Sequence, residues 1–256
     1  MLLMEAVHHK VVSQREWRDA RIAHLAKEKA LTRRRDALLL ERQNLPWERV
    51  EKEYVFGSVS GKKSLAELFG DTSQLLVYHF MFGPEWEQGC SSCSLASEML
   101  NANLIHLTQR DVALAVVSRA PSDKIEAFRK RMDWTFPWVS SFGGDFNHDF
   151  AVSFTAEEMA GEHFYNFGTA NFPSEEAPGV SAFYKDEYGD IFHTYSTYGR
   201  GLEGLLGVYA LLDMAPKGRD EERLSFPMAW VKHRDRYETQ IPNLRQNAAA
   251  LTETER

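Results

Sequence analysis

One stretch, residues 75–93, constrains the fold more than any other part of the chain. It begins as an uncharged apolar and aromatic run of strand length and breaks at Gly83-Pro84. It then delivers Cys90 and Cys93 with two residues between them. The residues that follow carry apolar side chains one helical turn apart, which predicts a helix. We therefore expect a buried strand, a turn, and a Cys-x-x-Cys motif at the start of a helix.

A helix start gives the two cysteines a chemical role. Unpaired backbone N–H groups and the positive end of the helix dipole stabilise a thiolate, and the thiolate is the nucleophile. Cys90 is therefore the predicted attacking sulfur, and Cys93, one turn further in, the predicted buried resolving thiol. The chain has no other cysteine, so the pair is interpreted as a unit. Two alternatives stay open: a zinc site, which needs two more ligands from His, Asp or Glu, and inert cysteines in a binding scaffold.

Composition limits the setting in which this dithiol works. The chain has 256 residues, a net charge of −7 and a pI of about 5.8, which disfavours nucleic acid as a partner. No apolar run is long enough to cross a membrane, and the apolar start is too short for a signal peptide. We expect a cytoplasmic protein, where a permanent structural disulfide is disfavoured. No Gly-rich phosphate loop is present, so neither an organic cofactor nor a resident metal is predicted.

Residues 1–46 are predicted to form a helical extension. Ser13 and Glu16 have the spacing of a capping box, and neither Gly nor Pro interrupts the helix before Pro46. Apolar or aromatic residues recur weakly at intervals of seven, which makes the helix a candidate surface for homo-oligomer formation. Residues 10–52 carry twelve Lys or Arg against seven Asp or Glu, so the helix presents a basic solvated face or, alternatively, a polyanion contact.

The main domain is predicted over residues 47–215, and residues 216–256 form a polar tail that docks on it through the apolar residues 226–230. Buried strands alternate with helices, which calls for a parallel pair joined by a right-handed crossover. A hairpin and a closing helix complete the domain. The first half of the domain is predicted to contain a hairpin near 54–61, a helical turn at 64–69, the strand from 75, a helix to about 107, a strand at 111–118 and a helix at 122–131. A loop through 143–150, a short helix at 155–160 and irregular chain at 161–179 follow. The predicted domain ends with strands at 180–184 and 191–195 and a helix at 201–212.

This order is similar to the thioredoxin fold, and four segments resemble one bacterial family, DUF899, of thioredoxin-like predicted dithiol–disulfide oxidoreductases. The segments are Gly89-Cys90-Ser91-Ser92-Cys93-Ser94, Val117-Ser118-Arg119-Ala120-Pro121, the aromatic run at 134–141, and the run at 192–198. The resemblance implies an α/β, three-layer thioredoxin-like fold with a mixed central sheet. It also implies thiol–disulfide exchange with a protein or small-molecule disulfide, with electrons supplied by a thiol reductant.

Two departures from general thioredoxins bear on how a substrate is held. Thioredoxins have a cis-proline just before the strand that faces the dithiol, and the corresponding place here is predicted to hold Ser181. Ser91 and Ser92 stand where thioredoxins have Gly and Pro. The missing proline leaves open a non-catalytic binding protein on the same fold.

Three other residues are predicted to modulate the dithiol or bind its substrate. Arg119 follows the second core strand, and its charge would favour the Cys90 thiolate; an exposed arginine at a strand end is the alternative. Glu87 could take the proton from Cys93, and Trp86 lies on the same loop; both could equally be surface residues. His79, inside the central strand, is interpreted as a hydrogen-bonded core histidine.

A peroxiredoxin-type peroxidase is the closest alternative chemistry. That class needs a Thr three residues before the reactive cysteine and a Pro four residues earlier still. Here those positions hold Glu87 and Gly83, so the peroxide pocket of that class is not predicted.

Overall fold

The computed structural model describes residues 9–238, and the predictions for residues 1–8 and 239–256 lie outside them. Within the described residues, eight strands form one mixed sheet and two more form a separate hairpin. The helices are α1 Gln14–Gln43, α2 Leu65–Leu68, α3 Ser91–Thr108, α4 Ser122–Arg131, α5 Phe146–Asp149, α6 Ala156–Met159 and α7 Gly207–Leu212. The strands are β1 Glu48–Arg49, β2 Val55–Ser58, β3 Gly61–Ser64, β4 Gln74–His79, β5 Val112–Ser118, β6 Trp138–Ser140, β7 His163–Tyr165, β8 Gly168–Ala170, β9 Gly179–Lys185 and β10 Ile191–Tyr198.

The large sheet has the strand order β1-β10-β9-β4-β5-β6-β2-β3. The pairs β4–β5 and β5–β6 are parallel, whereas β9 is antiparallel to both β4 and β10. This is the mixed α/β, thioredoxin-like sheet that the resemblance implies.

Alternation along the central strands divides the core into two layers of side chains. Leu75 and Val77 of β4 pack on one face with Phe146 and Phe150. On the other face, Tyr78 belongs to the apolar cluster that includes Cys93 and side chains of α3 and α4. The sheet therefore lies between a layer that carries the dithiol helix and a layer of short helices and loops.

The N-terminal helix α1 extends from the body with few contacts. Its predicted capping box is confirmed, since the backbone and side chain of Ser13 both pair with Glu16. None of its residues is buried against the described part of the chain. Trp17, Leu31 and Leu38 are between 58% and 69% exposed, so α1 presents apolar side chains that residues 9–238 do not cover.

Three strand regions were not predicted. Strand β1 has two residues and pairs with β10 at the edge of the large sheet. Strand β6 is only three residues long and lies within the aromatic run that was interpreted as leading into a loop. The β7–β8 hairpin turns at Asn166-Phe167, both with positive φ, at 53° and 61°. Such a type I′ turn normally uses Asn-Gly, so Phe167 conceals it in the sequence.

The predicted closing helix at 201–212 is divided. A 3-10 helix, Gly199–Leu205, is followed by α7, with Leu206 between them outside helical geometry. Four glycines within Gly199–Gly207 lower the helix propensity of this segment.

The tail docks on the body partly through the predicted apolar residues, since the Trp230 ring lies 6.2 Å from the Tyr209 ring of α7. Phe226 is 61% exposed, whereas Val231 is buried. The next residues, His233, Arg234 and Asp235, contact the dithiol loop, α3 and α4. Within the described residues, none of the helices is both long enough and apolar enough to cross a membrane.

Candidate dithiol site

The two cysteines lie at the first turn of α3, as predicted. Cys90 is the N-cap residue, and its sulfur accepts the backbone N–H of Cys93 at 3.4 Å. The backbone N–H of Cys90 donates to Met81 at 3.0 Å, which fixes the start of the helix to the end of the β4 segment. Cys90 is partly exposed and Cys93 is buried, and neither is in a disulfide. The two cysteines therefore differ in access to solvent.

The pKa values of the two thiols move in opposite directions. The pKa of Cys90 is lowered to about 7, chiefly because the Cys93 thiol donates to its sulfur. The backbone N–H groups of Cys93 and Ser92 lower it further, and burial opposes them. Burial, followed by the neighbouring Cys90 sulfur, raises the pKa of Cys93 well above its usual range. Near neutral pH a large fraction of Cys90 is therefore a thiolate, beside a Cys93 thiol.

Tyr78 is a site residue that the sequence analysis missed. Its side chain is fully buried on the α3 face of β4, where its hydroxyl is a hydrogen-bond partner of Cys93. Burial first, and then Cys93, raises the pKa of Tyr78 well above 10, so the phenol stays protonated and can donate to a Cys93 thiolate. The sequence indicates this residue only by its hydroxyl, which is the one hydroxyl in the run 75–82 and lies two residues before Phe80.

The loop before Cys90 is held from outside the motif. Lys124 of α4 donates to the carbonyl oxygens of Pro84 at 2.7 Å and Trp86 at 3.3 Å. His233 Nε2 lies 2.8 Å from the carbonyl oxygen of Gly89. A Cβ on Gly89 would come within 2.5 Å of the Phe80 ring, so only glycine fits at this place.

A second contact ties the same loop to the tail. Arg131 donates to Gln88 Oε1 at 2.8 Å while its guanidinium forms two hydrogen bonds with Asp235, at 2.7 and 2.9 Å. Arg234 lies 3.3 Å from Glu98 of α3. The tail thus contacts three elements that shape the first turn of α3.

The loop residues that were predicted to assist the dithiol have other contacts. Trp86 is partly buried at the edge of the cluster that contains Cys90, and its Nε1 donates to Glu175 at 2.8 Å. Glu87 is exposed and is not among the groups that set the pKa of Cys93. The hydroxyl that reaches Cys93 belongs to Tyr78.

Arg119 is directed away from the dithiol. Its Nε donates to Glu176 at 2.7 Å, and its Nη1 lies 3.1 Å from His148 Nε2. Strand alternation explains this: Ser118 contacts Phe80 and Trp138 on the α3 face, so the next side chain points to the opposite one. Arg119 is also absent from the groups that lower the pKa of Cys90.

Glu176 makes Arg119 part of a buried polar network. Its side chain is 1% exposed, and its second oxygen accepts from Ser153 at 2.5 Å. Ser153 in turn accepts from Asn147, whose Oδ1 accepts from Ser141. This network joins the end of β5 to the segments that cover the second face of the sheet.

Ser181 does not line a groove. It is fully buried in β9 opposite Val77, on the face away from α3, and its Oγ lies 2.8 Å from His79 Nε2. The prediction placed the strand start too late: β9 begins at Gly179, so Pro178 is the residue that precedes it. No peptide bond within residues 9–238 is cis. His79 is confirmed as a hydrogen-bonded core histidine.

The zinc alternative needs further ligands beside the two thiols. Among residues 9–238, no group of three or more His, Cys, Asp or Glu side chains has the placement of a metal site.

Comparison with protein families gives a direct match. The model of a family described as a bacterial protein of unknown function (DUF899) matches residues 6–237. The chain belongs to this family. The resemblance that the four sequence segments indicated is thus confirmed over nearly the whole chain, while a search of curated proteins finds no match.

Solved structures show more distant likeness. A mutant of PrxQ from Xylella fastidiosa is 17% identical over 62% of this chain and 89% of that chain, with a TM-score of 0.38. The peroxidoxin BcpB from Mycobacterium tuberculosis is 10% identical over 63% and 96%, with a TM-score of 0.42. A putative thiol:disulfide interchange protein DsbE from Chlorobium tepidum is 12% identical over 64% and 98%, with a TM-score of 0.39.

Proposed function

We propose that this protein is a dithiol–disulfide oxidoreductase in which Cys90 attacks and Cys93 resolves. The observation that supports it most is the opposite shift of two thiol pKa values at one helix start, with that of Cys90 lowered to about 7 and that of Cys93 raised. A thiolate poised near neutral pH beside a protonated, buried partner is the arrangement that exchange chemistry requires.

The first step forms a mixed disulfide. The Cys90 thiolate attacks one sulfur of a substrate disulfide, the substrate S–S bond breaks, and the leaving sulfur departs as a thiolate that takes a proton from solvent. The backbone N–H of Cys93 caps the Cys90 sulfur and orients it at the helix start. Because Cys90 is partly exposed, a protein or small-molecule disulfide can reach it.

The second step releases the substrate. Cys93 loses its proton and attacks the Cys90 sulfur, so the mixed disulfide breaks and the second substrate sulfur leaves as a thiolate that takes up a proton, which balances the one Cys93 lost. Two electrons have then moved from the dithiol to the substrate, and Cys90 and Cys93 are joined. Formation of the mixed disulfide removes the negative charge of Cys90, which was one cause of the raised pKa of Cys93. The Tyr78 hydroxyl stabilises the Cys93 thiolate that then forms.

A thiol reductant of the surroundings returns the disulfide to the dithiol, and no organic cofactor takes part. We therefore infer a reducing compartment such as the cytoplasm as the working environment. The experiment that tests the proposal is equilibration of the purified protein with dithiothreitol redox buffers, followed by alkylation and mass analysis. We expect one two-electron transition that links Cys90 to Cys93, and turnover of insulin disulfides.

Two variants separate catalysis from binding. Cys90→Ser should abolish turnover while the circular dichroism spectrum stays native, and Cys93→Ser should accumulate a mixed disulfide on Cys90. If wild-type protein forms no internal disulfide and reduces no disulfide substrate, the oxidoreductase proposal is wrong. The non-catalytic binding alternative then takes its place.

A further inference from the structure

A cavity on the face of the sheet opposite the dithiol has the features of a small-molecule site. Its volume is about 560 Å³, within the range of roughly 300–1,000 Å³ that small-molecule sites occupy. Its wall includes five aromatic side chains, Tyr54, Phe150, Phe164, Phe167 and Tyr198, and His193. We call it the His193 cavity.

A row of buried polar side chains ends in this cavity. His79 Nε2 lies 2.8 Å from Ser181 Oγ, which lies 2.8 Å from Ser196 Oγ. Ser196 Oγ lies 2.7 Å from His193 Nε2. The three inner members are at most 5% exposed. This polar row crosses β4, β9 and β10, and only its outer residue reaches the cavity.

The backbone turns His193 toward the row. In a regular strand, residues three apart point to opposite faces, yet His193 and Ser196 are hydrogen-bonded. A β-bulge between His193 and Tyr195 shifts the register and brings them to one face. Bulges often re-aim a side chain beside a functional site.

The hydrogen-bond partners of the His193 ring indicate which of its nitrogens donates toward the cavity. Burial lowers the pKa of His79 to about 3, so this ring is neutral, and its Nδ1 has no partner among the described residues. An unpaired buried N–H is disfavoured, so the proton of His79 lies on Nε2 and donates to Ser181. The two serines can then donate in sequence toward His193 Nε2. The Glu48 carboxylate, which only accepts, lies 3.4 Å from His193 Nδ1, so a proton of His193 lies on Nδ1.

The Nδ1–H of His193 makes only a long, weak hydrogen bond within the described residues. Glu48 lies 3.4 Å away and its side chain is 80% exposed, so an acceptor on a ligand can replace it. The charged residues of the wall nearly balance, with Glu48, Glu51 and Asp149 against Arg49 and Lys52. The wall therefore favours a neutral acceptor over an anion.

The cavity wall also holds backbone in a costly conformation. Two residues of the wall that are neither glycine nor asparagine, Ala151 and Phe167, have φ values of 50° and 61°. Phe164 and Phe167 are nevertheless exposed by 61% and 68%. Strained backbone that holds exposed aromatic rings at a cavity mouth is typical of a binding site rather than of core packing.

We propose that the His193 cavity binds a small, neutral heteroaromatic molecule whose ring packs against Phe164 and Phe167 and whose acceptor atom takes the Nδ1–H of His193. This site is separate from the dithiol and does not depend on the proposed redox function.

The test uses quinoline as the probe and naphthalene as a matched probe without the ring nitrogen. Saturation-transfer NMR on the full-length protein should show binding of both, with quinoline about fivefold to tenfold tighter, the gain expected from one hydrogen bond. In His193→Phe this preference should vanish while both probes still bind.

A second variant separates binding from stability. Phe167→Gly restores the favoured Asn-Gly turn, so the unfolding midpoint should rise, while saturation transfer to both probes should be lost. Absence of saturation transfer from wild-type protein overturns the proposal. So does binding that neither His193→Phe nor Phe167→Gly changes, because the probes would then bind elsewhere.

Discussion

Replacement of Arg119 by Met should cost this protein more stability than any loop substitution beside the dithiol. Arg119 donates to Glu176 at 2.7 Å, and the Glu176 side chain is 1% exposed. Methionine fills a similar volume but leaves the carboxylate buried without a positive partner. Removing one member of a buried ion pair costs about 3–5 kcal/mol.

Two features place the expected loss near the lower end of that range. The Arg119 side chain is 19% exposed, so some of the attraction is already screened, and Ser153 still donates to the other oxygen of Glu176. We therefore expect about 3 kcal/mol, against a total of about 5–15 kcal/mol for a typical domain. The measurement is urea unfolding at pH 7.5, followed by tryptophan fluorescence and circular dichroism.

The pH dependence of this loss has a definite sign. Burial already raises the pKa of Glu176 with Arg119 in place, and removal of the guanidinium raises it further. A carboxyl with a raised folded-state pKa favours folding at low pH and loses that contribution as the pH rises through the folded pKa. The deficit of the Met variant should therefore be smallest below about pH 4, near the unfolded pKa of Glu, and largest at neutral pH.

A double variant decides whether the buried charge is the cause. Arg119→Met combined with Glu176→Gln contains neither charge, and the amide can still accept from Ser153. This variant should be more stable at pH 7.5 than Arg119→Met alone. Equal stability of the two, or a loss for Arg119→Met that does not change with pH, would falsify the assignment of the energy to an unpaired carboxylate.

Four further predictions concern the dithiol and the helix arm. The iodoacetamide reaction of Cys90 should follow a thiolate that forms with a midpoint near pH 7, because the Cys93 thiol and two N–H groups lower its pKa; a midpoint above pH 8 contradicts the capped geometry. Tyr78→Phe should slow release of the mixed disulfide in stopped-flow measurements without changing the alkylation midpoint of Cys90, since the hydroxyl is a partner of Cys93 and is not among the groups that set the pKa of Cys90; an unchanged release rate removes Tyr78 from the mechanism. His233→Phe, which keeps the ring but not its bond to the loop, should move the reduction potential of the dithiol and the Cys90 midpoint, whereas a purely structural role would change only the urea midpoint. The chain should be a dimer by light scattering and become monomeric when residues 1–43 are deleted, because α1 carries exposed apolar side chains on a basic segment while the rest of the chain is acidic; a monomeric full-length protein refutes the dimer.

Much of the fold follows from local pattern in the sequence. The buried runs of β4 and β5, the proline before α4 and the turn between β9 and β10 are each encoded within a few residues. Pro121 lies at the N-cap of α4, and the helix has the predicted bounds Ser122–Arg131. Where a buried run or a cap determines an element, the prediction was correct. The apolar face of 201–212 predicted one helix, and the glycines within it divide that helix.

The β7–β8 hairpin was missed because its turn breaks the local rule. A type I′ turn normally shows itself by a glycine, and Phe167 stands there instead. Phe167 also marks the segment as a candidate binding surface. The turn alone does not explain why an exposed ring is held in an unfavourable backbone conformation. A failure of pattern-based prediction can therefore mark a place with a role beyond folding.

Arg119 shows a different kind of failure. Its position at the sheet edge was predicted, but its direction depends on strand alternation, and its partner Glu176 is 57 residues away in the sequence. Alternation alone could have placed Ser118 toward α3 and Arg119 away from it. The partner could not have been inferred, because a buried ion pair between loops leaves no periodic signal.

The reactivity of Cys90 likewise depends on residues far from the motif. The hydrogen bonds that lower the pKa of Cys90 exist only while the first turn of α3 stays formed. The ends of a helix are the parts that fray most readily. Lys124, Arg131 and His233 hold the loop that enters it. The Cys-x-x-Cys motif supplies the two sulfurs, while α4 and the tail supply the rigidity that keeps one of them a thiolate and the other a thiol. Changes in the tail should therefore alter the chemistry of the site without touching a cysteine.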